Sequence, residues 1–348
     1  MIFSGKKPYL YLCIIILMVF LVTSVTAARD NVLHILSWPG YAEPDIVRTF
    51  EQRFQAKVVV TYVNSDDELW SKLNSKSDHF DVFAVNAAEL QRYIRQDLST
   101  PINMENIPNH NNQLSRFQNL EKISGLVHDE QVYAIPYTYS EMGLIYDKNK
   151  VTAVPRSMTA LWDPQYRGRV LAYNTSSHNF SMVALTMGAE PFNLDEDEFK
   201  QAVDSLIALR RNVLAFYTSP EEAVKLYQEN DIALIYGNYG SQQVKQLQAV
   251  GADVGYIIPE EGALAWLDCW ALKNTVKNKQ LAEQWINYTL EKKVSDSLTQ
   301  RQGLSNTVTL AGKADDDDKI IWLEPLENYS LRKELWYKIR SGDTSEVY

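Results

Sequence analysis

Apolar and polar residues alternate along Leu264–Leu272, which reads Leu-Ala-Trp-Leu-Asp-Cys-Trp-Ala-Leu. That period of two predicts an extended segment with Trp266, Asp268 and Trp270 on one side and Leu267, Cys269 and Ala271 on the other. A carboxylate between two indoles in so apolar a strand is costly to bury unless it is paired. A cationic guest would meet that need, because the carboxylate neutralises it and a desolvated indole face attracts it by about 2 kcal/mol. The alternative is an edge strand with Asp268 solvated, and the segment alone leaves both open.

Elsewhere the pattern alternates strands with helices. Val32–Ser37 has strand character and ends in the turn signal Trp38-Pro39-Gly40-Tyr41. Pro44–Phe54 carries Ile46, Val47, Phe50 and Phe54 at helical spacing, and Lys57–Tyr62 is a second β-rich run. Asp66–Leu73 reads as a helix, Phe80–Val85 as a buried strand and Ala87–Arg95 as a helix. This order predicts an α/β domain with a mainly parallel sheet, whose ligands sit beyond the carboxyl ends of its strands. Trp38, Tyr41 and Asn86 lie at such ends.

Residues 99–125, rich in Asn, Pro and Ser, predict a long surface connection, and the chain is expected to change domain between Pro136 and Gly143. A second α/β set follows. Its strands are expected over Arg169–Tyr173, Val213–Tyr217, Ile232–Tyr236 and Val254–Ile258, and its helices over Phe180–Met187, Glu196–Arg211 and Pro220–Glu229. After the Trp266 strand come helices over Lys279–Leu290 and Lys292–Gln300, and another in the tail Trp322–Ile339.

Length agrees with two domains: 348 residues, 45% of them hydrophobic, supply material for two cores. The net charge of -10 argues against a nucleic-acid partner, which would need a basic face. Lys6 and Lys7, the apolar run Tyr9–Val25 and the small residues Val25-Thr26-Ala27 predict a signal peptide over residues 1–27 and hence a periplasmic protein. Its removal takes two lysines and leaves -12, with Cys269 as the one remaining cysteine and no internal disulfide. His34, His79, His110, His128 and His178 are dispersed without metal-ligand spacing. No phosphate loop, dinucleotide turn or nucleophile elbow occurs, so neither a cofactor nor a catalytic constellation is indicated. What recurs is aromatic residues at strand ends: Trp38, Tyr41, Tyr236, Tyr239, Trp266 and Trp270.

Ser37-Trp38-Pro39-Gly40-Tyr41, Phe80-Asp81-Val82-Phe83, Tyr133–Tyr137, Ile232–Gly237 and Trp266-Leu267-Asp268 resemble, in order and spacing, the motifs of the periplasmic polyamine-binding proteins. Those are the spermidine and putrescine receptors of ABC transporters. The resemblance implies an α/β fold of the two-lobe, type II-like periplasmic binding protein class, with a ligand cleft between the lobes. One lobe would hold residues 28–138 and 260–312, the other 139–259 and 313–348. It implies that Trp38, Tyr41, Tyr236 and Trp266 sandwich an aliphatic chain while Asp268 accepts an amine, with Thr218 a polar contact. The family's second-lobe acids fall here on Thr175 and His178, and two family aromatics on Ala88 and Leu304. Glu141, at the lobe crossing, is a candidate substitute acid or a solvated hinge residue. The expected ligand is therefore a shorter diamine, a modified polyamine, or an amine with a non-basic second end. The expected partner of a monomeric receptor is an inner-membrane ABC permease; the alternative is a membrane signalling protein informed of polyamine levels.

Overall fold

The computed structural model describes residues 31–310, 319–326 and 328–342. The expected signal peptide lies outside the described residues. Among the described residues, no helix is long and apolar enough to cross a membrane.

The first sheet grows from β1 (Val32–Ser37), helix α1 (Pro44–Phe54), β2 (Lys57–Tyr62), α2 (Asp66–Asn74), β3 (Val82–Asn86) and α3 (Ala87–Arg95). β1 pairs in parallel with β2 and β3. Val82 to Val85 are all buried, the continuous apolar run of a strand covered on both faces. β4 (Ala134–Glu141) joins this sheet, then β5 (Gly143–Asp147) opens the second. Only Met142 separates them.

The second sheet continues with β6 (Val170–Tyr173), α4 (Ser176–Met187), α5 (Glu196–Asn212), β7 (Ala215–Tyr217), α6 (Pro220–Glu229), β8 (Leu234–Gly237), α7 (Gly240–Ala249) and β9 (Val254–Ile257). Its strand order is β7-β6-β8-β5-β9. α5 begins at a capping box in which Asp195 and Glu198 each bond the other's backbone N–H.

The chain returns to the first sheet as β10 (Ala263–Lys273), buried throughout and inserted antiparallel between β3 and β4. The alternating segment is thus a central strand, not an edge. α8 (Lys279–Thr289), α9 (Lys292–Gln302) and β11 (Ser305–Asn306) follow. β12 (Ile320–Trp322) pairs in parallel with β10, and α10 (Tyr329–Ser341) then crosses to the second lobe. There Arg332 donates to Ser181 Oγ at 3.2 Å, and Trp336 Nε1–H donates to Asn174 Oδ1 at 3.1 Å.

Three expectations change. β4 pairs with β10 as far as Glu141, so the first-lobe segment runs past residue 138 and the crossing, at Met142, falls within the expected Pro136–Gly143 window. Residues 320–322 form a strand of the first sheet, although the tail was expected to belong wholly to the second lobe. Residues 99–125 are not simply a surface loop: Phe117 and Leu120 are buried in short helical turns, and Ile102 and Ile107 are buried beside them. The buried Glu283 side chain holds this segment by accepting from Asn103 N–H and Asn106 Nδ2–H. Asn103, Asn106 and Asn109 of this stretch bond to Glu283 and Asn287 of α8, while Asn111, Asn112 and Asn119 stay exposed.

Two local devices shape the crossing. Pro136 sits beside the register shift of β4 against β10, where a residue without an N–H is tolerated. Gly143 lies so close to Tyr256 that a Cβ would fall 2.6 Å from its ring carbon. The Tyr256 hydroxyl accepts from Gly143 N–H and donates to the Glu141 carbonyl, which fixes the crossing peptide.

Candidate functional site

A cavity of about 340 Å³ opens between the lobes, beyond the carboxyl ends of β1 and β3, as parallel topology predicts. Trp38 and Tyr41 enter from the turn after β1, Asn86 from the N-terminus of α3, and Trp266 and Asp268 from β10. The second lobe adds Tyr173, Thr175, His178, Thr218, Asn238 and Tyr239.

Asp268 is 7% exposed. Its Oδ2 accepts from the Tyr41 hydroxyl at 2.7 Å, and its Oδ1 faces Asn86 Nδ2–H at 3.5 Å. No lysine or arginine among the described residues acts on it. Desolvation therefore dominates and pushes its pKa up to about 6, against the two hydrogen bonds that lower it. Burial and this carboxylate together raise the Tyr41 hydroxyl, so it stays a donor.

Further acids share the space. Asp66, at the start of α2, is open to the cavity's water but walled by protein. Its pKa rises to about 7 through desolvation first, then through Glu89, Asp268 and Asp67. Glu89 is raised by burial and pairs with Arg92 at 3.8 Å, while Arg92 stacks 3.5 Å from the Trp70 ring centre. The lining carries six acids (Asp66, Asp67, Glu89, Glu221, Asp268, Glu324) against Arg92 as its one lysine or arginine. Such a cavity favours cations.

On the opposite wall Glu221 is the one acid, and the patch around His178 is neutral. His178 Nδ1 lies 3.1 Å from Asn238 Oδ1, and burial lowers its pKa to about 4. It is an uncharged imidazole at physiological pH. Trp266 Nε1–H donates to the Asn238 carbonyl at 2.9 Å, a bond that ties one lobe to the other at the cavity.

Residues 45–320 match the profile of the bacterial extracellular solute-binding proteins. The chain belongs to that family. It is 29% identical over 285 residues to the putrescine-binding periplasmic protein PotF of Escherichia coli K12, covering 76% of this chain and 74% of PotF. It is 24% identical over 292 residues to the spermidine/putrescine-binding periplasmic protein 1 of Haemophilus influenzae, covering 83% and 79%. The crystal structure of the TpPotD lipoprotein of Treponema pallidum superposes with a TM-score of 0.78 at 16% identity, over 89% of this chain and 99% of that one. This likeness carries the two-lobe fold of solute-binding proteins.

Within that family frame, Trp38, Tyr41, Asn86, Thr175, His178, Thr218, Trp266 and Asp268 are brought to one cavity. Tyr236 is not. Its side chain is fully buried, and its hydroxyl meets Met142 Sδ at 3.4 Å. Alternation along β8 sends Ile235 and Tyr236 to opposite hydrophobic cores, and Tyr239, beyond the strand end, reaches the cavity instead. Trp270 shares its face with Asp268 but lies beneath the Tyr41 and Tyr137 rings, at centroid distances of 6.3 and 5.3 Å. Glu141 is absent from the cavity lining.

Sequence reasoning missed Asp66, Glu221, Glu324 and Tyr329. Asp66 had a usable signal, because Ser65-Asp66-Asp67-Glu68 directly follows the carboxyl end of β2, where ligands of parallel sheets collect. The tail residues Glu324 and Tyr329 had none, since only the return of the chain after β12 brings them there.

Proposed function

We propose that this solute-binding protein captures a small diamine or related polyamine in the periplasm and delivers it to an inner-membrane ABC permease. The observation that carries the proposal is Asp268, buried on the cavity wall with Trp266 and Tyr41, bonded by the Tyr41 hydroxyl and without a lysine or arginine partner among the described residues. An ammonium there would restore neutrality, and the aromatic walls would cover the methylene chain. Asp66 supports a second cationic centre: desolvation, then Glu89 and Asp268, raise its pKa to about 7, and a dication reaching both carboxylates would relieve that repulsion. The neutral patch of Thr175, His178 and Asn238 disfavours an ammonium at that point of the second lobe, which supports a ligand of putrescine size, while Glu221 is the one acid this lobe adds to the lining. The putrescine-binding and spermidine/putrescine-binding relatives agree with this class. Export by a cleaved signal peptide, action as a monomer and a purely binding role belong to the same reading.

Calorimetric titration of the mature chain tests it. Putrescine and cadaverine should bind one to one, and butylamine, with one ammonium, at least tenfold more weakly. No heat or thermal shift with any diamine or polyamine would refute the assignment. Trp266→Phe keeps a ring but removes the bond to Asn238 across the lobes, a loss of about 1 kcal/mol or roughly fivefold in affinity. An unchanged affinity would show that this bond plays no part in closure over the ligand.

A further inference from the structure

At the other end of the first-lobe strands, His34, His79 and Asp81 converge. His34 is the third residue of β1, and Asp81 immediately precedes β3. Both therefore sit on the amino-terminal side, roughly 10 Å or more along the strands from the cleft-facing ends. The His34 and His79 rings meet edge to face at 5.1 Å. His34 Nδ1 lies 3.5 Å from Asp81 Oδ2, and His79 Nε2 lies 3.2 Å from Asp81 Oδ1. Neither contact is aligned as a hydrogen bond. Both nitrogens are buried atoms without a hydrogen-bond partner.

Burying two unsatisfied imidazole nitrogens against one carboxylate is unfavourable unless something joins them. Asp81 has its own structural duties: its Oδ2 accepts from His34 N–H and its Oδ1 from Lys277 N–H. Those bonds account for the aspartate and leave the two ring nitrogens unexplained. They also hold the carboxylate still, as the outer partners of a metal ligand do.

We propose that His34, His79 and Asp81 bind a divalent transition metal, with zinc best suited to the donors. Two imidazole nitrogens and one carboxylate oxygen are a zinc donor set, whereas calcium and magnesium take oxygen alone. Zinc bonds of about 2.0–2.1 Å place neighbouring donors about 3.4 Å apart, and each histidine nitrogen already lies near that distance from one of the two Asp81 oxygens, His34 from Oδ2 and His79 from Oδ1. All three donors lie within 4.8 Å of one another, so small rotations of the two rings complete the set. A bound ion would tie β1 to the segment entering β3 and so stabilise the lobe without touching the amine cleft.

Zinc titration of the chelator-treated mature chain, followed by calorimetry and by melting temperature, tests this site. The expected result is one zinc per chain with a raised melting temperature and no response to calcium. Cobalt(II) should give the visible absorption of a low-coordinate nitrogen–oxygen site. His34→Gln and His79→Asn should each weaken zinc binding at least tenfold while the metal-free melting temperature and circular dichroism stay near wild type. His79→Asn alters a ring that lies outside the strands and serves if His34→Gln disturbs β1. Zinc binding equal to wild type in both variants, or none in the wild type, would overturn the proposal.

Discussion

Asp268→Asn abolishes capture of the amine and leaves the fold intact. The substitution keeps the shape and a hydrogen-bonding oxygen but removes the negative charge beneath Trp266. Leaving a buried cation unpaired costs about 3–5 kcal/mol, so affinity falls by roughly 10²–10³-fold. The ligand-free variant should melt at or above the wild-type temperature, because a desolvated carboxylate is itself unfavourable. Calorimetry and thermal melting together decide it: retained affinity, or loss of binding with collapse of the fold, would remove Asp268 from its role.

Binding should also weaken steeply with acid. In the ligand-free protein the Asp268 carboxyl titrates near 6 and Asp66 near 7. The bound ammonium needs the ionised forms. From pH 7.5 to pH 5, protonation of Asp268 alone lowers affinity about tenfold, and Asp66 adds to this where the second ammonium reaches it. The stability of the empty protein moves the other way. A carboxyl whose folded pKa exceeds its unfolded value of about 3.9 contributes stability below that value and loses it as pH rises through the folded pKa. Asp268 should therefore cost the empty protein about 2 kcal/mol between pH 4 and pH 7, and ligand restores what is lost. Asp66, open to water, contributes less to stability. Isothermal titrations and melts across that range check both signs; an affinity flat from pH 7.5 to pH 5 would rule out ionised carboxylates as the amine's partners. His178, neutral above about 4, does not titrate in this window.

Most elements were legible because apolar spacing is a local property. The period of β10, the helical spacing of α1 and the strand-end turn Trp38–Tyr41 all follow from side-chain geometry along a few residues. Tyr236 shows the limit. Aromatic character at a strand end was correct, but the face it points to depends on where alternation starts, and one residue decides between core and cleft. The span 99–125 shows another, since Asn103 and Asn106 look solvated until Glu283, far along the chain, supplies their partner.

By itself, then, the sequence determined the α/β class, two lobes, an acid among aromatics on β10 and the strand-end residues of the first lobe, because each depends on neighbours within a few positions. Tertiary structure alone decided the rest. The parallel order of β1, β2 and β3 carries the α2 acids to the cleft beside Asp268, and the return after β12 adds Glu324. The pairing of β1 with β3 joins His34 to Asp81 across 47 positions. Burial by distant chain, which no local pattern encodes, is also what raises the Asp268 pKa and makes its charge a site.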